Sequence, residues 1–67
     1  MGMSSPKTKA EARERIAKLQ GKIAREKASM AHYKATIKGY NPMHQRMSIA
    51  DWKAEIAELR AKIPSLP

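Results

Sequence analysis

Large apolar residues recur along the first part of the chain at Ile16, Leu19, Ile23, Met30, Tyr33 and Ile37. With Ala12 ahead of them and Tyr40 behind, the steps alternate between three and four, and only Glu26 interrupts the series. This is the spacing of a heptad seam, because side chains three and four apart stack on one face of a helix. Ile49, Trp52, Ile56, Leu59 and Ile63 repeat the pattern, and Leu66 would extend it. A second seam of small residues accompanies the first. It runs through Ala17, Gly21, Ala24, Ala28, Ala31 and Ala35, and then through Ala50, Ala54, Ala57 and Ala61. At roughly 100° per residue the two seams are centred about 150° apart, so each helix carries a large-residue face and a nearly opposite small-residue face. Alanine here fits two roles, helix propensity or close helix contact. Gly21 favours the second in the first helix, since glycine costs ~1 kcal/mol against alanine in an exposed helix interior.

Capping signals bound the helices. Ser5-Pro6 and the box Thr8-Lys9-Ala10-Glu11 start the first helix. It continues without proline to Lys38, where Gly39 and Asn41-Pro42 stop it. Such a helix is ~45 Å long. Ser48-Ile49-Ala50-Asp51 forms another capping box, with Met47 and Trp52 placed as a hydrophobic staple, and Pro64 closes the second helix. Neither Val nor Phe occurs and no alternating stretch persists, so no strand is expected. The pattern predicts an all-α, antiparallel two-helix hairpin with a long first helix. Its elements are a helix over about 6–38, a turn over 39–47 and a helix over 49–63. Residues 6–67 form one domain, and residues 1–5 read as a disordered tail.

The unequal lengths imply assembly. Folded back from a turn at 39–47, Ile63 reaches only the level of Ile23 or Ala24. Ala12, Ile16 and Leu19 are then left wet, although burying an Ile or Leu is worth ~1.5–3 kcal/mol. A second copy would cover them in a four-helix arrangement, with a dimer interface at Ala12, Ile16, Leu19 and Ile23. Size supports this. A core below ~70 residues rarely supplies more than ~3–5 kcal/mol without a further staple. The 67-residue chain has no cysteine, so disulfides and thiolate metal sites are excluded. A reducing, cytoplasmic compartment is the easier fit. No apolar run approaches the roughly 18 residues of a membrane span, so no membrane partner is expected.

Charge changes the picture further. The chain holds 14 Lys and Arg against 6 Asp and Glu, a formal net charge of +8. The excess lies on the first helix and its start, in Lys7, Lys9, Arg13, Arg15, Lys18, Lys22, Arg25, Lys27, Lys34 and Lys38. An acidic protein surface or a nucleic acid is the partner such a balance favours. The chain has no helix-turn-helix spacing, zinc finger or aromatic stacking platform, which weighs against nucleic acid. Arg13, Arg15, Lys22 and Arg25 flank the seam and would steer an acidic partner. Tyr40 and Met43, at the turn, suit adaptable protein binding or a cap on the bundle end. Tyr33 and Trp52 fall on core stripes near the turn, as a small core beneath the loop.

Catalytic and metal chemistry find no foothold. His32 and His44 are not at helical ligand spacing and have no acidic cluster beside them, so neither metal nor other cofactor is expected. Asp51, Glu55 and Glu58 sit at ordinary surface spacings. The serines lack a paired His and acid, and no glycine-rich phosphate loop occurs. An enzyme is not expected.

The long basic capped helix, the Gly39-Tyr40-Asn41-Pro42 turn and the Ser48-Ile49-Ala50-Asp51-Trp52 restart together resemble small accessory proteins of temperate bacteriophages, of the early anti-activator kind. The resemblance covers nearly the whole chain as size and architecture and carries over no functional residue. It implies a homodimer of helical hairpins that inhibits a host protein by occlusion, a quorum-sensing transcriptional regulator or an assembly ATPase. The expected function is therefore a small homodimeric protein-binding module acting as an inhibitor. The alternative is a basic nucleic-acid-binding dimer that contacts phosphates through helix 1.

Overall fold

The structure, a computed structural model, describes residues 6–67. The expected tail at 1–5 and the Ser5 cap lie outside the described residues. Two helices, α1 (Lys9–Thr36) and α2 (Met43–Lys62), pack against each other as a hairpin, and a 3-10 turn at Ile63–Ser65 follows. The molecule measures 49 × 21 × 17 Å.

Thr8 caps α1. Its Oγ1 accepts from the Glu11 N–H at 3.1 Å, and Glu11 Oε2 accepts in return from the Lys7 N–H at 2.8 Å. The reciprocal box thus reaches one residue further out than its usual form. At the other end the Ile37 N–H donates to Tyr33 O, and the helix gives way to extended backbone at Ile37. Tyr40 N–H then donates to Ile37 O at 3.4 Å, closing a four-residue turn with Gly39 at its third position and φ +77°. That position demands the left-handed region in a type II turn, which is why glycine stands there.

The start of α2 departs from the sequence expectation. It begins at Met43, not at Ile49. Asn41 Oδ1 accepts from the Met43 N–H at 3.1 Å, and Pro42 occupies the N-cap. Asn-Pro, read as a stop for α1, is equally a helix start, because proline has no N–H to orphan in a first turn. The Ser48 box is therefore inside the helix. Met47 is 60% exposed and does not act as a staple.

This earlier start moves the core. Ile16, Leu19 and Ile23 of α1 pack with Ile49, Ile56 and Leu59 of α2, and Met30, Trp52 and Ile63 lie against them half-buried. Ala12 is wholly buried. The residues after α2 cover the start of α1, and the Lys9 N–H donates to Pro67 O at 2.9 Å. The length argument is thereby corrected. Ala12, Ile16, Leu19 and Ile23, assigned to a dimer seam, are buried within the single chain. The turn end, expected to hold a small core, is the open one. Tyr33 is 40% and Ile37 49% exposed. The small-residue seams of both helices face outward, and a Cβ added at Gly21 would meet nothing within 4 Å. Close helix contact within the chain therefore does not account for Gly21.

Candidate functional site

The residues expected to meet a partner fall in different places. Arg13 and Arg25 are exposed on α1. Arg15 is not a free flank: its Nε lies 2.6 Å from Glu55 Oε2 across the hairpin, in a partly buried ion pair. Glu11, one turn before it, takes part in the N-cap. Lys22 places its ammonium 6.0 Å from the centroid of the Trp52 ring, at the reach of a cation–π contact. Tyr40 and Met43 lie at the turn, the first half-buried and the second 57% exposed.

What the fold does assemble is a cavity of about 310 Å³ between the last turns of α1 and the start of α2. Lys27, Met30, Ala31 and Lys34 line one wall. Their spacing of i, i+3, i+4 and i+7 sets them on a single face of α1. Tyr40, Pro42 and Arg46 line the other. The cavity lies just beyond Glu26, where the large-residue seam is broken and the half-buried Glu26 and Ser29 replace aliphatic side chains. No carboxylate lines it. Among the described residues neither Lys27, Lys34 nor Arg46 forms an ion pair.

Beside it the rings of His32, Tyr33 and Tyr40 form a chain, with centroid distances of 5.7 and 5.6 Å. The Tyr40 hydroxyl is enclosed and has no hydrogen-bond partner among the described residues. Its burial, with the Glu26 carboxylate and the Tyr33 ring nearby, raises its pKa above the ordinary 10.0, so it stays a neutral donor. Tyr40 was singled out by its place in the turn. Lys27, Lys34 and Arg46 were not, because their convergence depends on where α2 begins. The i, i+3, i+4, i+7 pattern of Lys27-Met30-Ala31-Lys34 was the available signal.

No group of three or more His, Cys, Asp or Glu among the described residues could hold a metal ion. No helix among them is long and apolar enough to cross a membrane. Comparison of the chain with models of protein families, with curated proteins and with solved structures gives no match in any of the three. The class the fold defines is a basic helical hairpin with an electropositive cavity at its turn.

Proposed function

We propose that the chain is a protein-binding module that captures an acidic surface of a partner and inhibits it by occlusion. The observation that carries this is the set of unpaired cations. Of the basic side chains on α1, only Arg15 and Lys18 have a carboxylate partner among the described residues, Glu55 and Glu14. Charges left without intramolecular partners cost little in water and are available to steer and hold an anionic surface. The resemblance to phage anti-activators makes a host transcriptional regulator or an assembly ATPase the kind of target, in the cytoplasm.

Self-association belongs to the same proposal. Among the described residues no large side chain is fully buried, and a core this thin needs a further source of stability. With the large-residue seam used inside the chain, the faces left for a second copy are the alanine seams. Four helices would then enclose what two leave open.

A nucleic-acid reading keeps one observation in its favour, the +8 charge gathered on one helix. Affinity capture on the immobilised chain separates the two. A single host protein, retained after nuclease and at moderate salt and then losing its own activity when mixed with the purified chain at equal stoichiometry, is the expected result. Loss of every partner after nuclease would assign the basic helix to phosphates, with affinity falling at a slope of roughly −0.9 per phosphate neutralised on duplex DNA.

A further inference from the structure

The cavity at the turn combines cationic and apolar side chains in one lining. Its rim is cationic, through Lys27 and Lys34 on α1 and Arg46 on α2. Its apolar lining is half-buried Met30 and Pro42 with the exposed Ala31 beside them. Three exposed cations share one hollow whose lining holds no carboxylate, which favours an anion there. The start of α2 adds to the field, since its first turn holds no acidic residue, although the Met43 N–H there already donates to Asn41 Oδ1. The volume stands at the small end of ligand pockets, which span roughly 300–1,000 Å³. It suits one or two side chains rather than a cofactor. Met30 is the adaptable kind of lining, an unbranched thioether that reshapes to its occupant.

We propose that this cavity receives an acidic peptide segment of the partner protein. Carboxylates of the segment pair with Lys27, Lys34 and Arg46, and an adjacent leucine- or phenylalanine-sized side chain seats on Met30, Ala31 and Pro42. This rests on the reading of the chain as a protein-binding module and names the chemistry it selects. The apolar lining decides against a phosphodiester occupant. Phosphates stay hydrated and follow exposed basic ridges, and they gain nothing from covering aliphatic surface. A carboxylate beside an apolar side chain uses both halves of the site. Arg46 supplies the planar fork that matches a carboxylate with two hydrogen bonds.

The test is a titration of the isotope-labelled full chain, followed by amide chemical shifts. Three probes are added in turn: the peptide acetyl-Glu-Leu-Asp-Leu-Glu-amide, its Gln/Asn counterpart, and a short DNA duplex. The acidic peptide is expected to move amides of residues 27–34 and 40–46. Its affinity should fall about tenfold or more in the variant Lys34→Glu with Arg46→Glu, the loss expected when close charge pairs are reversed. The milder variant Lys34→Gln with Arg46→Gln should show an intermediate loss. Arg13→Glu with Arg60→Glu should leave it within about threefold, since each lies about 20 Å along its helix from the nearest rim residue, beyond a Debye length. Circular dichroism of each variant checks that the helices persist. Equal binding of the Gln/Asn peptide overturns the proposal, as does a tighter duplex producing the same cluster of shifts. Shifts confined to residues 13–25 would remove the peptide from the cavity and leave the protein-binding reading standing. Failure of the peptide while a host protein is still captured would also sink only the cavity assignment, whereas loss of both would sink the two together.

Discussion

The phenol of Tyr40 is held by the turn with no hydrogen-bond partner among the described residues, and a hydroxyl taken out of water alone destabilises the state that encloses it. Tyr40→Phe keeps the ring against Tyr33 and deletes the orphan. The midpoint of thermal unfolding should therefore rise, and a fall would mean that the hydroxyl finds water or a partner in solution. The same residue gives a pH signature. Its folded pKa is raised above the unfolded 10.0 by burial first, then by Glu26 and Tyr33. The stability tied to the neutral phenol is present below 10.0 and lost as pH climbs toward and through the folded value, because the unfolded chain ionises first. The Phe variant should lack that alkaline component. Arg15 teaches the opposite lesson. A side chain read as a docking flank is tied at 2.6 Å to Glu55, so substituting it would loosen the hairpin as well as remove a charge.

At the scale of elements, the two capping boxes are alike in sequence and unlike in fact. Thr8 accepts the Glu11 N–H at the true start of α1, while Ser48 lies inside α2. Thr8→Ala should cost ~1 kcal/mol in denaturant unfolding, the usual loss for a cap. Ser48→Ala should change stability by no more than a few tenths of a kcal/mol, because alanine is the better helix former there and no cap is lost. An equal cost at both positions would place the start of α2 at Ser48 after all. The contrast also marks how far the residues alone could be read. The all-helical hairpin, the heptad seam and the Thr8 cap followed from spacing and short-range hydrogen bonding, which are local. Where α2 starts did not, because two local signals competed and the winner was Asn41-Pro42, whose side-chain amide holds the Met43 N–H. Everything that depends on that choice was hidden with it: the burial of Ala12 and Ile16, the Arg15–Glu55 pair, and the meeting of Lys27, Lys34 and Arg46. A shift of the helix start by more than a turn changes which residues face each other along the whole hairpin.

On the scale of the whole molecule, the hydrophobic seam is closed at the end where Lys9 meets Pro67 and open at the turn. Ile16 is 8% exposed within the core, so Ile16→Asp both removes a packed side chain and buries a charge. The expected loss of at least ~2–5 kcal/mol matches all that a core of this size supplies. Circular dichroism should show a largely unfolded chain. Ala24→Glu with Ala28→Glu, on the outward face, should instead keep the helices and reduce the sedimenting mass to one chain. An unchanged mass in that variant would show that the alanine faces do not join copies, and folded Ile16→Asp monomers would return the large-residue seam to the dimer.

The hydrogen bond from Lys9 N–H to Pro67 O brings the two ends of the described chain side by side, and this sets how the hairpin answers to force. Pulled from those ends, the helices part crosswise, like a zipper, instead of sliding along their length. The first bonds to break are at the packed end, over Ala12 and Ile16, and the loosely packed turn beyond offers less resistance than what has already failed.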